Sequence, residues 1–255
     1  MLRSTVLTLC LAAAVLPVAH AGERRAEAKP TVVLVHGAFA DASSWDLVAE
    51  RLRQRGLPVV AVDNPLTSLD AAAAATRRAI AQAPGQVVLV GHSWGGTVIT
   101  QAGDDPKVSA LVYVAAFAPD AGESSSQQLQ RYQMTPGAQK LQNQGGFLSL
   151  SQEAVATDFA QDLAPEAQAQ VYAHQLPLKA SALAERVDRA AWKSRPSWYV
   201  VSRQDRTLSP ALQRDTARRI GAELREVDAG HVSPLAAPDE VSQAIVDASA
   251  AAPAR

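Results

Sequence analysis

The chain has 255 residues and a formal net charge of −1, and 47% of its residues are hydrophobic whereas only 19% are charged. This length fits one large α/β domain with an insertion better than two independent domains. The near-neutral charge gives no basic surface, so it argues against a nucleic-acid partner and against binding to an anionic membrane surface. The composition excludes a disordered or fibrous chain.

Residues 1–21 have the pattern of a secretory signal peptide. Arg3 provides a short positive region, residues 6–16 are apolar, and Ala19 and Ala21 form a small-x-small cleavage site. The apolar run is too short to span a membrane. We therefore expect a periplasmic or secreted protein, whose mature form begins with a short charged tail over residues 22–29.

The only cysteine, Cys10, lies inside this predicted signal peptide. A lipoprotein acceptor role for Cys10 is disfavoured, because the residue comes very early and follows the bulky Leu9. Cleavage would leave a mature protein without cysteine, so we expect neither disulfides nor thiol catalysis.

Between residues 30 and 118, apolar β-branched runs alternate with helical segments. The runs predict buried strands over residues 31–35, 59–62, 87–90 and 108–114. The segments between them predict helices over residues 45–55 and 69–82, and from just after Ser93 to about Gly103. Strict alternation of this kind predicts a doubly wound parallel sheet.

The alternation stops at Asp120. From residue 119 to residue 192 the sequence is rich in Gln and Ala, and it has no strand of comparable strength. Helices are predicted over residues 124–132, 151–161, 165–174 and 181–190. Apolar residues such as Phe147 and Phe159 argue against a solvated linker. The block is therefore predicted to be a helical cap inserted into the domain.

Alternation resumes after the cap. Strands are predicted over residues 197–201 and 224–227, and helices over residues 210–220 and 239–250. The predicted core thus comprises residues 30–118 and 193–252, with residues 119–192 as the cap.

A Gly-x-Ser-x-Gly pattern joins the third strand to the helix that follows. Gly91-His92-Ser93-Trp94-Gly95 has the strand-turn-helix context of a nucleophile elbow, which exposes a serine hydroxyl above an α/β sheet. Glycines are needed because the backbone passes too close to its neighbours to leave room for a Cβ atom. Ser93 is therefore the candidate nucleophile.

A serine nucleophile needs a base, and position narrows the five histidines to one. His20 lies in the predicted signal peptide, His36 in the turn after the first strand, and His174 in the cap. The side chain of His92 is turned away from the neighbouring serine by the elbow. His231, directly after the last strand, is therefore the predicted base.

The acid should lie between the serine and the base in the chain, because this architecture orders the triad Ser, Asp, His. Asp205 follows the strand at residues 197–201 and is the preferred candidate. Asp120 is the alternative, since it also follows a strand. Asp228 is too close to His231 along the chain and is predicted to be a turn residue.

Two backbone amides are predicted to stabilise an oxyanion. One is that of Trp94, at the positive end of the helix after the elbow. The other is that of Ala38, in the loop after the first strand. Phe39, its neighbour, is expected either to replace Ala38 as donor or to line the substrate pocket.

Four segments in this order resemble the α/β-hydrolase superfamily, and in particular small esterases related to plant methyl-ester hydrolases and bacterial pyrethroid-type carboxylesterases. They are His36-Gly37-Ala38-Phe39, the elbow, Asp205 and Gly230-His231. The resemblance covers roughly residues 30–250. It implies an α/β-hydrolase fold with about six mostly parallel strands and a cap, and ester hydrolysis without metal or organic cofactor.

The expected function is cleavage of a small or medium carboxylic ester through an acyl-enzyme, with a small-molecule substrate and an oligomeric state left open. A cofactor-free perhydrolase would use the same triad. Hydroxynitrile lyases of the superfamily carry a threonine at the position of Gly37 and a lysine at that of Val232, so lyase activity is disfavoured. A non-catalytic ligand-binding protein remains the alternative from another class.

Overall fold

The computed structural model describes residues 29–251. The predicted signal peptide, and all of the predicted tail except Lys29, lie outside the described residues. Between residues 29 and 251, no helix is long and apolar enough to cross a membrane.

The first part of the chain alternates strands and helices as predicted. Its elements are β1 (Thr31–Val35), α1 (Asp46–Gln54), β2 (Val59–Val62), α2 (Leu69–Gln82), β3 (Val87–His92), α3 (Gly95–Ala102) and β4 (Val108–Val114). Every residue of β1, β3 and β4 is buried, as expected for strands covered on both faces. The prediction that β2 is buried is wrong: only Val62 is, because β2 is an edge strand of the sheet. Strand β3 is two residues longer than predicted, because Gly91 and His92 continue the pairing with β4.

The segment between β4 and the next core strand contains short helices and a small sheet. Its elements are α4 (Ser125–Leu129), α5 (Pro136–Gln139), β5 (Gln142–Gln144), β6 (Phe147–Ser149), α6 (Gln152–Ala154), a π-helical turn (Val155–Phe159), α7 (Pro165–Ala173) and β7 (Leu178–Lys179). The three strands form an antiparallel sheet that the sequence analysis missed. Gly145 and Gly146, both at positive φ, make the turn between β5 and β6.

The helix predicted over residues 181–190 is wrong. Only a 3₁₀ turn, Ala180–Leu183, forms there. The backbone amides beyond it have tertiary acceptors instead: that of Val187 donates to the carbonyl of Glu123, and that of Asp188 to the side chain of Gln101. These bonds replace the intrahelical ones that the sequence pattern predicted.

The chain then completes the core. The remaining elements are β8 (Ser197–Ser202), α8 (Pro210–Arg219), β9 (Glu223–Val227), a short α9 (Ser233–Ala236) and α10 (Pro238–Ala251). Helix α9 was not predicted. It forms directly after His231 and leads into α10.

The six core strands form one parallel sheet in the order β2-β1-β3-β4-β8-β9. Helices α1 and α10 pack on one face, and α2, α3 and α8 on the other, so the sheet is doubly wound as predicted. The order reverses between β1 and β3, since β2 lies on one side of β1 and β3 on the other. Ligands bind in α/β sheets at the carboxyl ends of strands that flank such a reversal.

Candidate active site

Three residues mark the carboxyl ends of neighbouring strands with an unusual backbone conformation. Phe39 (φ 61°) follows β1, Ser93 (φ 52°) follows β3 and Ala115 (φ 42°) follows β4. Within residues 29–251 they are the only non-glycine residues at positive φ, a conformation that costs on the order of 1–3 kcal/mol at each position. Strain of this kind clusters at functional sites. It is concentrated here around the switch point of the sheet.

Hydrogen bonds to its backbone hold Ser93 in the strained conformation. Its amide donates to the carbonyl of Val114 at 3.1 Å, and its carbonyl accepts from the amides of Gly96 at 3.0 Å and Phe117 at 3.1 Å. A Cβ atom at Gly91 would lie 2.5 Å from the carbonyl oxygen of Gly95, so only glycine fits at that position. The elbow expected from the sequence is therefore present.

The structure brings Ser93, His231 and Asp205 into one chain of hydrogen bonds. The Oγ atom of Ser93 lies 2.9 Å from Nε2 of His231, and Nδ1 of His231 lies 2.7 Å from Oδ2 of Asp205. The side chains of His231 and Asp205 are almost completely buried. This arrangement fixes one tautomer of the imidazole, with Nδ1–H directed at the carboxylate and Nε2 able to accept a proton from the serine.

Asp205 is held by four donors. Its Oδ1 accepts from the amides of Thr207 and Leu208, both at 2.8 Å, and its Oδ2 accepts from His231 and from Nε2 of Gln213 at 2.7 Å. All lone pairs of the carboxylate that face the protein are thus occupied. These four bonds hold the carboxylate of Asp205 in its orientation towards His231.

Gln213 is a supporting residue that the sequence analysis missed. Its amide nitrogen donates to the carbonyl of Leu208 at 2.8 Å as well as to Asp205, and its amide oxygen accepts from the backbone amide of Ser202 at 2.9 Å. It is fully buried on α8 beside Leu212 and Thr216. A glutamine on the buried face of a predicted helix was the available signal, because a buried amide requires partners.

The two alternative acids lie elsewhere. Asp120 forms an ion pair with Lys193 at 2.5 Å, and the hydrogen bond from Lys193 lowers the pKa of Asp120. Asp228 is exposed and accepts from the side chain of Gln204 at 2.7 Å. The structure therefore places neither carboxylate on His231.

Ala38 and Trp94, whose amides are the two predicted oxyanion donors, line one small cavity together with Ser93 and His231. Neither amide donates to an acceptor within residues 29–251. The amide of Phe39 differs, because it donates to the carbonyl of Leu176 at 3.2 Å. Of the two donors predicted for this loop, the amide of Phe39 thus already has an acceptor and that of Ala38 has none within residues 29–251.

The loop that carries Ala38 is fixed by His36 and Asn64. Nδ1 of His36 donates to the carbonyl of Gly37 at 2.9 Å, and Nε2 accepts from the amide of Asn64 at 3.1 Å. The side-chain amide of Asn64 donates to the carbonyl of His36 at 2.9 Å. Burial lowers the pKa of His36, which keeps the ring neutral and able to accept. His36 therefore has the structural role expected of it.

The cavity at Ser93 is small and apolar. It measures about 50 Å³, and apart from Ser93, His231 and Thr207 its lining is apolar, with Trp94, Phe117 and several leucines. Leu141, Leu178 and Leu183 come from the segment between β4 and β8, and Leu208 comes from the core. We call this space the inner cavity.

A second, larger space of about 420 Å³ adjoins it, which we call the outer cavity. It lies between α7, represented by Ala167 and Val171, and the core residues Leu47, Val232 and Leu235. Phe39 lines both cavities. Its ring packs edge-on against Phe159, which lines the outer cavity, with the centroids 6.1 Å apart. Phe39 therefore borders both cavities.

Two histidines lie near the site without joining the hydrogen-bond chain. Nε2 of His92 donates to the backbone carbonyl of His231 at 2.9 Å. Nδ1 of His174 lies 2.9 Å from Oδ2 of Asp41 at the rim of the outer cavity. Within residues 29–251, no three His, Cys, Asp or Glu side chains form a group that could hold a metal ion.

A parallel doubly wound sheet with a strained serine after β3, hydrogen-bonded to a buried His–Asp pair, defines the α/β-hydrolase class of folds. A sequence model of the alpha/beta hydrolase family matches residues 32–244, and the chain belongs to that family. Family, fold and sheet thus agree with the resemblance inferred from the motifs.

Individual relatives match over most or part of the chain. The chain is 28% identical over 250 residues to the probable hydrolase R7 of a Phoma species, covering 86% of this chain and 98% of that protein. It is 34% identical over 116 residues to methylesterase 3 of Arabidopsis thaliana, covering 39% of this chain and 44% of that protein. The crystal structure of a pyrethroid hydrolase from Sphingobium faniae superimposes with a TM-score of 0.77 at 22% identity, covering 87% and 98% of the two chains.

Proposed function

We propose that this protein is a serine hydrolase that cleaves a carboxylic ester through an acyl-enzyme intermediate. The observation that carries the proposal is the continuous chain of hydrogen bonds from Ser93 through His231 to Asp205. A serine hydroxyl is a weak nucleophile unless a base removes its proton during attack, and Nε2 of His231, 2.9 Å from Oγ of Ser93, supports His231 as that base.

In the first step, Oγ of Ser93 attacks the carbonyl carbon of the ester while Nε2 of His231 takes its proton. Asp205 accepts the hydrogen bond from Nδ1–H and stabilises the imidazolium that forms. The negative charge on the carbonyl oxygen is stabilised by the amides of Ala38 and Trp94, which line the same cavity as Ser93. Losing one such donor costs roughly 10²–10³ in kcat in known serine hydrolases.

In the second step, the imidazolium of His231 gives its proton to the leaving alkoxide oxygen, and the alcohol departs. The acyl group remains on Oγ of Ser93 as an ester. His231 then takes a proton from a water molecule as that water attacks the acyl carbon. Collapse of this second tetrahedral intermediate breaks the bond to Ser93, returns the proton to the serine and releases the carboxylic acid.

The two cavities define the size of the substrate. At about 50 Å³, the inner cavity has room for only a few non-hydrogen atoms beside Ser93, whereas the outer cavity at about 420 Å³ is in the range of small-molecule sites. The outer cavity begins at Val232, directly after the proposed base. The substrate is therefore an ester with one small side, bound in the inner cavity, and one bulky apolar side, bound in the outer cavity.

The printed activities of the relatives agree with ester chemistry. Methylesterase 3 is named for cleaving methyl esters, and it shares 34% identity with this chain over the aligned part. The neighbouring crystal structure is that of an enzyme named for hydrolysing pyrethroids. The likeness to the pyrethroid hydrolase is 22% in sequence and supports the fold rather than a particular substrate.

Lyase chemistry is disfavoured by the space around Gly37. A Cβ atom there would lie 2.7 Å from Cβ of Ser93 and 3.3 Å from its Oγ, so the threonine expected of a lyase does not fit without moving the serine. At the position where hydroxynitrile lyases carry a lysine, this chain has Val232, an apolar residue that lines the outer cavity. This local geometry supports hydrolysis.

The proposed location is outside the cytoplasm. It rests on the signal-peptide pattern of residues 1–21 alone, which lie outside the described residues.

A fluorophosphonate probe and a panel of nitrophenyl esters test the proposed function. The probe should label wild-type protein at Ser93 only, and the Ser93→Ala variant should be neither labelled nor active. The Ser249→Ala variant is the control, because the hydroxyl of Ser249 bonds only to the carbonyl of Ile245 within α10 and lines neither cavity, so this variant should keep both properties. Labelling of Ser93→Ala at the wild-type rate, or wild-type protein that hydrolyses no ester, would refute the proposal.

A further inference from the structure

One short segment between β4 and β8 contacts both loops that carry the proposed acid and base. It runs from Val155 to Asp162 and begins with the π-helical turn Val155–Phe159. Single π-helical turns are rare and occur frequently at functional sites. We call residues 155–162 the bridging segment.

The bridging segment contacts the acid loop through Asp158. Oδ1 of Asp158 accepts from Nε of Arg206 at 2.7 Å, and the backbone carbonyl of Asp158 accepts from the hydroxyl of Thr207 at 2.8 Å. These two partners directly follow Asp205. The amide of Thr207 is itself one of the donors to the carboxylate of Asp205, so Asp158 contacts the same residues that orient the acid.

Asp158 is a buried charge that the proposed chemistry does not use. Its side chain is 1% exposed, and Oδ2 accepts from Nζ of Lys140 and Oγ1 of Thr157, each at 2.7 Å. Burial alone would raise the pKa of Asp158, but hydrogen bonds from Lys140, Thr157 and Arg206 outweigh it and lower the pKa to about 2. A buried carboxylate is retained only where it is fully paired.

The same segment contacts the base loop through Asp162 and Phe159. Oδ2 of Asp162 accepts from the amide of Gly230 at 2.6 Å, in the residue directly before His231. The ring of Phe159 packs on that of His231, with the centroids 5.2 Å apart. A Cβ atom at Gly230 would lie 2.6 Å from the side chain of Gln161, so the base loop and the bridging segment are in close contact.

We propose that Asp158 and Asp162 are positioning residues, which hold the loops of Asp205 and His231 in register with each other. The inference rests on the proposed function, because it assigns the two carboxylates to the alignment of that triad. A consequence is that residues 155–162 cannot move away from the core without disturbing the proposed triad. Displacing them separates the acid from the base, and a misplacement of about 1 Å can cost on the order of 10² in rate.

The Asp158→Asn variant tests the contact with the acid loop. We expect kcat to fall roughly tenfold to a hundredfold with KM nearly unchanged, since neither carboxylate lines the cavities. The matched control is Glu153→Gln, which removes a carboxylate 4.0 Å from the same Lys140 but exposed and without contact to either loop. An Asp158→Asn variant with the kcat of Glu153→Gln would overturn the proposal.

The partner of Asp158 gives an independent check. The Arg206→Gln variant should reproduce the loss in kcat, and Arg206→Lys should restore most of it, because a lysine keeps the ion pair. The double variant Asp158→Asn/Arg206→Gln should be no slower than either single variant, since both remove the same interaction. Additive losses would mean that the two residues act separately and would contradict the proposed contact.

The contact with the base loop is tested by Asp162→Ala, with Glu166→Ala as its control. Both residues are exposed acids of the same region, and only Asp162 accepts from Gly230. We expect kcat to fall at least tenfold in Asp162→Ala and to stay at the wild-type value in Glu166→Ala. Equal kcat in the two variants would remove Asp162 from the proposal.

A spectroscopic measurement separates this inference from the proposed function. The proton between Nδ1 of His231 and Asp205 should give a strongly deshielded proton resonance in wild-type protein and in Glu153→Gln. In Asp158→Asn and Asp162→Ala that resonance should weaken or vanish at a temperature where both variants are folded. If wild-type protein hydrolyses no ester, the proposed function fails while this resonance still decides the positioning role. If the resonance is unchanged in both variants, the positioning role fails.

Discussion

The imidazole of His92 hydrogen-bonds to the backbone of His231, with Nε2 of His92 2.9 Å from the carbonyl oxygen. The residue before the proposed nucleophile, at the end of β3, thereby holds the residue proposed as its base, in the loop after β9. The bond requires Nε2 to carry a hydrogen. Burial and the neighbouring charge of His231 lower the pKa of His92 to about 3, so the ring stays neutral at ordinary pH.

This low pKa predicts how stability depends on pH. An unfolded chain protonates histidine near its usual pKa of about 6.5, whereas folded His92 stays neutral down to about pH 3. The unfolded state therefore binds the extra proton between these values, and the free energy of unfolding falls as pH is lowered from about 6.5 towards 3. One such group contributes up to about 1.4 kcal/mol per pH unit.

The His92→Gln variant should take up as much as one proton fewer on unfolding, and its stability should therefore depend less steeply on pH. Glutamine can donate to the same carbonyl but does not titrate. Urea unfolding of both proteins at several pH values measures it. Part of the wild-type slope should remain, since burial also lowers the pKa of His36. Identical slopes in the two proteins would contradict the assignment of a buried neutral ring to His92.

Replacing the proposed acid should remove most of the activity. The Asp205→Asn variant keeps the shape of the side chain but cannot stabilise the imidazolium of His231, and kcat should fall on the order of 10⁴-fold. Asp120→Asn is the control, because Asp120 pairs with Lys193 and should leave kcat within a few-fold of wild type. Steady-state kinetics on one nitrophenyl ester decide between the two residues, and a large loss in Asp120→Asn alone would mean that the acid is misassigned.

Gln213 should affect both stability and activity. A Gln213→Leu substitution leaves the amide of Ser202 and the carbonyl of Leu208 buried without partners, each costing roughly 1–3 kcal/mol, and it removes one donor from Asp205. We expect a lower midpoint of urea unfolding together with a reduced kcat. Gln54→Leu, at an exposed position of α1, should change neither. Retention of wild-type stability by Gln213→Leu would show that these groups find other partners.

Filling the outer cavity should change selectivity. An Ala167→Trp substitution places an indole in the outer cavity, so kcat/KM should fall at least tenfold for esters with one bulky apolar side and stay near wild type for esters with two small sides. Ala173→Trp, at an exposed position of the same helix outside the cavity lining, is the control. A uniform loss over the whole panel would mean that the outer cavity does not bind the bulky side.

The predicted signal peptide is tested by expressing the full chain in a Gram-negative host. We expect the mature protein in the periplasmic fraction, with its N-terminus at Gly22 as determined by mass spectrometry. Replacing Ala19 and Ala21 with bulky residues should leave an uncleaved precursor. A cytoplasmic protein that retains residues 1–21 would contradict the predicted export.

The sequence by itself determined the sheet and the residues placed at its edge. Continuous β-branched runs are typical of strands covered on both faces, and they indicated the positions of β1 to β4 and the alternation with α1 to α3. Burial was predicted correctly for β1, β3 and β4 but not for the edge strand β2. Chain order and strand ends then selected Ser93, Asp205 and His231, because in a parallel sheet all carboxyl ends meet at one edge. The structure brings these three together.

Local patterns failed where tertiary contacts compete with them. The helix predicted over residues 181–190 is replaced by bonds from Val187 and Asp188 to distant residues, and the strands β5 to β7 pair polar with apolar segments that show no alternation. Short segments have weak intrinsic preferences, so the partners that surround them decide their conformation.

Only the tertiary structure decided what supports and surrounds the proposed triad. Gln213 bonds to Asp205, Asp158 to Arg206 and Asp162 to Gly230, across gaps of 8 to 68 residues in the chain that no periodicity can reveal. The two cavities likewise exist only between elements that are remote in sequence. Parallel-strand geometry is imposed by local chemistry, whereas the fit of one loop against another depends on the packing of the whole chain.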